Sequence, residues 1–207
     1  MKTSHHVQTK FCPYNFSSNS NLTNCTVYGL VIHDKNMKGA NLSGSIFTSA
    51  DIYNVNLSHT NLQNTTLRGS VIASTDLSYA DLRGADLRGI NFYHSNLEGA
   101  DLRGAKITGS IFPSVNFKDA NLQGVVFSHT KSELASFLDA NLQGADMSQA
   151  ELLGAIFTGA DLEGADLHNS DLAGGSLAQA NLSGANVGGL DTAGVDLSCH
   201  GHQICTG

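Results

Sequence analysis

Two sets of residues in this chain have the types and spacing to do chemistry. The first is acidic. Asp51, Asp76, Asp81, Asp86, Asp101, Asp146, Glu151, Asp161, Asp166, Asp171, Asp191 and Asp196 recur at multiples of five and make up 12 of the 18 carboxylates. Such a series can bond to backbone N–H groups in turns, or it can present negative charge to a basic partner. The second is the end of the chain, Ser198-Cys199-His200-Gly201-His202-Gln203-Ile204-Cys205. Two cysteines and two histidines are possible zinc ligands, but the spacing is not that of a finger and one short loop would have to supply all four. A disulfide between Cys199 and Cys205 is the second reading and would imply an oxidising compartment. A free tail is the third. Neither metal nor cofactor is expected. Catalysis has little support either. His33, His59, His94, His129 and His168 are scattered, and serine is so common that a Ser-His-Asp coincidence would arise by chance. The chain is therefore not expected to be an enzyme.

The elements that carry these residues follow from one period. From Leu22 to Leu197 every fifth residue is apolar, except Ser132 and Thr192, over 36 positions. Two residues before each the side chain is small, with Ala at 16 of 36; two residues after, Gly stands at 18 of 36. A helix needs spacings of three and four and a strand needs two, so five fits neither. Repetition of this kind marks a solenoid. A longer period lies over the short one. Leu22, Leu42, Leu62 and onward to Leu182 are all Leu at intervals of twenty, each preceded by Asn or Asp. Four pentapeptides thus make one turn of a four-sided coil. Each side is short and extended, and each corner is a tight turn suited to glycine. Nine coils at strand spacing give a rod about 43 Å long, with inner side chains stacked in columns that leave no room for a ligand.

Repeats such as Ala80-Asp81-Leu82-Arg83-Gly84, Ala140-Asn141-Leu142-Gln143-Gly144 and Ala160-Asp161-Leu162-Glu163-Gly164 resemble the pentapeptide repeat family. The resemblance covers about residues 20–199 and implies an all-β fold, the right-handed quadrilateral β-helix. Members of that family include topoisomerase-protecting DNA mimics, regulators of cyanobacterial differentiation, lumenal proteins and secreted effectors. Function is therefore not implied by membership.

Three segments are expected: an irregular 1–19, the repeat coil of 20–199 and a tail of 200–207. Phe11 and Phe16 suggest two early repeats, Thr9–Pro13 and Tyr14–Ser18, separated from the rest by a one-residue slip near Asn19. Before Lys10 the chain is polar, and a disordered tail is expected there. Cys25 occupies a small inward slot and reads as a buried thiol; Cys12 could pair only if the N-terminal segment folds back. Leu30 and Lys35 stand where small inward residues belong, so the backbone around His33–Asn36 is expected to bulge and release Lys35. A second break falls at His129–Ala135. There Ser132 takes a core slot, either bonded to backbone or replaced by Leu134. Leu138 and Leu153 are apolar at outward positions.

The leading functional reading is a non-catalytic interaction scaffold. Its candidate docking residues for an unidentified protein partner are His129, Lys131, Glu133, Leu134 and Leu138. The alternative is a DNA-mimic modulator of a type II topoisomerase such as gyrase. Its candidate acidic face is Asp146, Glu151, Asp161, Glu163, Asp166 and Asp171, in a stretch without Lys or Arg after Lys131. Arg83, Arg103, Arg68 and Arg88 count against it, because they are expected to neutralise Asp across coils. A net charge of −7 opposes nucleic-acid binding. No apolar run is long enough to span a bilayer, and no apolar signal core opens the chain, so either a cytoplasmic location or prior removal of a targeting segment is expected, with an oxidising compartment, the periplasm or thylakoid lumen, as the alternative if Cys199 and Cys205 are bonded. Uncovered coil ends suggest an end-to-end homodimer.

Overall fold

The computed structural model describes residues 10–12 and 16–206. Six short strands are named among them: β1 (Lys10–Phe11), β2 (Cys25–Thr26), β3 (Val31–His33), β4 (Asp51–Tyr53), β5 (Val71–Ala73) and β6 (Asn91–Tyr93). No helix occurs among the described residues, and hence none that is long and apolar enough to cross a membrane. β3 to β6 form one parallel sheet in sequence order, each strand paired with the residues twenty positions on. The same offset continues as single parallel bridges, from Asn21 with Asn41 to Ser176 with Asp196. The chain is thus a parallel, four-sided β-helix. We number its sides by their inner columns: the first from Leu22, the second from Val27, the third from Ile32 and the fourth from Met37.

The five-residue repeat explains the geometry. Along most of the coil the N–H of the central residue donates to a carbonyl nineteen residues on, as Leu42 does to Asn61 at 2.8 Å, and Asn61 N–H donates back to Ala40 O at 3.0 Å. After the centre the chain turns. Ala40 N–H closes on Met37 O at 3.0 Å, with Gly39 between them at φ +69°. This is the type II arrangement, which demands positive φ at its third residue. A positive φ recurs at every corner from Asn24 to Gly194, including Leu134 and Tyr79, both at +56°. The residue before each centre completes the turn. In the first-side column, Oδ1 of every Asn or Asp from Asn21 to Asn181 accepts the N–H two residues on, at 3.1–3.3 Å. The Asn/Asp column is therefore part of the scaffold itself.

The core is the inner column of each side. On the fourth side Phe117, Phe137 and Phe157 stack face to face with centroids 5.0 and 4.7 Å apart. Phe112 packs against them from the adjoining third side and Phe127 from the opposite, second side. Inward hydroxyls at the small positions find backbone carbonyls: Ser45 Oγ bonds Leu22 O at 2.6 Å and Ser110 Oγ bonds Leu87 O at 2.8 Å.

Ser132 differs from both expectations. It is fully buried in a central slot, its Oγ bonds nothing, and Leu134 stays outside on its corner. The coil does not distort, since Ser132 N–H still donates to Glu151 O at 2.7 Å. A central residue points at the axis, away from the corner carbonyls that satisfy the other hydroxyls. Its small volume falls where the rings of Phe112, Phe127 and Phe137 converge. A buried unpaired hydroxyl costs about 1–3 kcal/mol. Ser132→Ala is therefore expected to raise the unfolding free energy by about 1 kcal/mol in a denaturant titration; a loss would mean that the hydroxyl has a partner.

The beginning and end of the chain correct further expectations. The early repeats centred on Phe11 and Phe16 lie partly outside the described residues, and the tail before Lys10 lies wholly outside them. Where the chain is described, β1 pairs in parallel with β2 at fifteen residues, three repeats instead of four. Phe11 pairs with Thr26, so Cys12 and not Phe11 aligns with a central position; Cys12 is buried and disulfide-bonded to Cys25. Cys25 is thus not a thiol. Lys35 is exposed, but without a bulge, because its carbonyl accepts Asn56 N–H at 2.9 Å in the regular register. At the other end the offset drops to nineteen, Asn181 pairing with His200. Cys199 is bonded to Cys205, Thr206 N–H donates to Leu197 O at 2.8 Å, and Ile204 packs on the core. The cysteines hold each other, and no cluster of metal ligands is present among the described residues.

Candidate interaction surface

The outward-facing slots divide by side and corner, which decides what each candidate residue can reach. His129 sits on the corner between the second and third sides. Lys131 and Glu133 lie along the third side, Leu134 on the corner between third and fourth, and Leu138 on the fourth. The docking candidates therefore wrap around a corner, with His129 at the far edge of the third side. Lys131 is already engaged: its Nζ bonds Glu151 Oε1 and Oε2 at 2.8 and 2.7 Å across one coil, which raises its pKa.

Leu134 is not alone. Its N–H donates to Leu153 O at 2.9 Å, and its side chain leans into the space left by the missing side chain of Gly154. Ile156 pairs with Ser136 on the fourth side just beyond. Leu134, Leu153 and Ile156 are 66%, 50% and 43% exposed, a contiguous aliphatic patch over one corner. Leu138 is only half-buried. Ile156 was not among the docking candidates, yet it stands in a slot that elsewhere is mostly Asp or Asn, and that was the available signal. Tyr28, Val31, Tyr53, Tyr79 and Val126 are also exposed, but Val126 lies on the second side and the others lie in coils before Gly89.

The acids do not form one face. Asp161 and Glu163 are on the first side, Asp146 and Asp166 on the second, Glu151 and Asp171 on the third. Most are also tied into turns. Asp146 accepts Ser148 N–H and Oγ–H, and Asp161 accepts from Glu163 N, Gln143 Nε2 and Asn181 Nδ2. Asp166 accepts His168 N–H, which leads the effects that lower its pKa. The five-residue period is shared by all four sides, so residues that recur in sequence are dealt around the rod.

The arginines differ from expectation too. Their close pairs are within a repeat. Arg83, Arg88 and Arg103 each reach back two residues to Asp81, Asp86 and Asp101, with NH2–Oδ2 distances of 2.6 Å. Contacts across coils are longer, 3.7 Å for Arg83 with Asp101 and 3.9 Å for Arg68 with Asp86. The guanidinium hydrogen bonds hold the three carboxyls below their ordinary range. A carboxyl whose pKa is lower when folded stabilises the fold above its unfolded value, about 3.9, and loses that contribution as pH falls through the folded value. Thermal midpoints are therefore expected to be level above about pH 5 and to drop below about pH 4. Changing all three aspartates to Asn should flatten that acid limb; an unchanged limb would assign it to other groups.

Comparison with known proteins gives this architecture a lineage. A sequence profile of pentapeptide repeats matches residues 36–64, 50–89, 85–124, 135–174 and 160–198, in eight copies. The chain belongs to the pentapeptide repeat family. The matches of this pentapeptide repeat protein leave out 125–134, the segment that holds His129, Ser132 and Leu134. Among solved structures, full-length QnrB1, a plasmid-mediated fluoroquinolone resistance protein, is 24% identical over 86% of this chain and 90% of its own, with a TM-score of 0.62. At that identity the likeness is one of fold. HetL, involved in heterocyst differentiation regulation in the cyanobacterium Nostoc, is 25% identical over 87% of this chain and 90% of its own, with a TM-score of 0.45. A pentapeptide repeat protein of the Arabidopsis thaliana thylakoid lumen is 34% identical over 56% of this chain and 67% of its own, with a TM-score of 0.22. No curated, characterised protein matches the chain.

Proposed function

We propose that this pentapeptide repeat protein is a non-catalytic scaffold that binds a protein partner over the corner between its third and fourth sides. The observation that carries the reading is the exposed trio Leu134, Leu153 and Ile156 on successive coils. Contiguous aliphatic exposure on a polar surface marks interaction sites. Leu134 adds to the argument. Leucine at positive φ is uncommon, and strained backbone gathers at functional positions. The sides of the rod are built throughout from short paired segments and tight turns, a surface that favours binding over catalysis. Its two disulfides favour an oxidising compartment.

Affinity capture from the source cell tests this. The unchanged chain is expected to retain a protein partner that a Leu134→Asp/Leu138→Asp variant loses at least about tenfold, as a charged replacement in a docking centre should cause. Equal recovery by both would remove the corner as the docking site. The topoisomerase reading draws less support. Mimicry of a duplex wants free negative charge in rows, whereas these carboxylates are spread over three sides and bonded into turns.

A further inference from the structure

We infer that the fourth side, beside the exposed corner, receives an amphipathic helix of a protein partner whose apolar stripe is flanked by Lys or Arg. This rests on the scaffold reading above and names the chemistry of its partner. Between Ser136 and Ala178 the outward positions of this side are Ser136, Leu138, Ile156, Thr158, Ser176 and Ala178, none of them charged. Carboxylates border it on both flanks. Asp139, Asp161 and Glu163 lie past one edge; Glu133 and Asp171 lie on the third side beyond the leucines. Lys131, the last cation in the sequence, is occupied by Glu151. Lys118, one coil before Leu138 on the same side, lies 3.6 Å from Asp119 and 4.0 Å from Glu98, so the patch is an uncharged strip bordered by carboxylates, which attracts basic groups and repels a second copy of this chain or a nucleic acid.

The shape fits a helix. A sheet face is ordinarily covered by a packed layer, and small residues let a helix backbone approach closely. Coils repeat at about 4.8 Å and a helix turns every 5.4 Å or so, so a helix along the rod meets each coil with about one turn. Behind this side the rings of Phe117, Phe137 and Phe157 are stacked and fully buried, so the surface is backed by rigid packing.

Three synthetic helical peptides of about 18 residues test the inference, sharing one Leu stripe at i, i+3, i+4 and i+7 and differing only in flanks of Lys, Gln or Glu. Their binding to the full chain is read by fluorescence anisotropy. The Lys-flanked peptide is expected to bind at least about tenfold tighter than the Glu-flanked one at low salt, with the gap narrowing near 0.5 M. Leu153→Ser/Ile156→Ser leaves every charge in place and is expected to weaken the Lys-flanked peptide about tenfold, whereas Val126→Ser on the second side does not. Equal affinity across flanks, no binding by any peptide, or binding that survives the double substitution would overturn the inference. A partner captured through Leu134 alongside any of those results would remove the basic helix and keep the scaffold. Flank-selective binding with no partner lost in capture would do the reverse.

Discussion

Phe137→Ala is expected to lower the unfolding free energy by about 3–5 kcal/mol. The ring is fully buried. It lies parallel to Phe117 and Phe157, at 5.0 and 4.7 Å, and meets Phe127 edge-on at 5.8 Å. Truncation removes contacts to three rings at once. Backbone bonds on both sides hold Phe137 in its coil, its N–H to Ile156 O at 2.7 Å and Ala140 N–H to its own carbonyl at 3.1 Å, so the walls cannot close on the gap. Ser132 already leaves a small residue next to this cluster. Phe137→Leu, which keeps most of the volume, is expected to cost far less, under about 1.5 kcal/mol. Equilibrium unfolding by guanidinium, followed by circular dichroism, distinguishes the two. Equal effects would mean that the stack does not hold these coils together. The substitution also links fold to function, because the fourth side, where the partner helix is placed, is the outer surface of this column.

Gly175→Val is the second large effect, at about 2–3 kcal/mol of destabilisation. Gly175 takes a small inward slot and has no unusual φ, so its need is spatial. A Cβ there would stand 2.5 Å from the carbonyl oxygen of Ala155, 2.7 Å from Leu172 Cδ1 and 3.0 Å from Leu172 O. Two of the three are backbone atoms that cannot rotate away. Ala155 O also accepts Ser176 N–H at 3.1 Å, so moving it breaks a bond between coils. Val55 and Val115 occupy the same column, which makes the restriction local to this turn. Gly175→Ala should be destabilising as well, against the usual gain of about 0.4–1 kcal/mol where alanine fits. An alanine variant as stable as the parent would show that the turn yields.

What the sequence made legible here is whatever the period controls. The inward columns, the turns with positive φ and the Asx bonds before each centre all repeat with the pentapeptide. The pairing offset of twenty could be read from Leu22, Leu42 and Leu62. The period is blind to whatever one coil does to the next. Leu134 and Leu138 look alike as apolar departures, but one leans out over Gly154 and the other is half-covered. Ile156 joins the patch only because Leu134 and Leu153 lie on the coil edge beside it. The acids look like a row in sequence and are dealt over three sides in space. The Cys12–Cys25 link depends on a first turn that spans three repeats, a local irregularity without a periodic trace. Ser132 was recognisable as an exception, but its lack of a partner follows from carbonyl positions that only the folded coil reveals.

Docking of a protein partner on the corner that carries Leu153 is the proposal on which the others depend. It is tested most directly by a photoreactive phenylalanine derivative placed at Leu153 in one chain and at Val126 in another, with irradiation in the source cell. Both positions are outward and partly exposed. A cross-linked protein adduct is expected from position 153 and none from position 126. Adducts from 126 alone, or the same adducts from both, would contradict it.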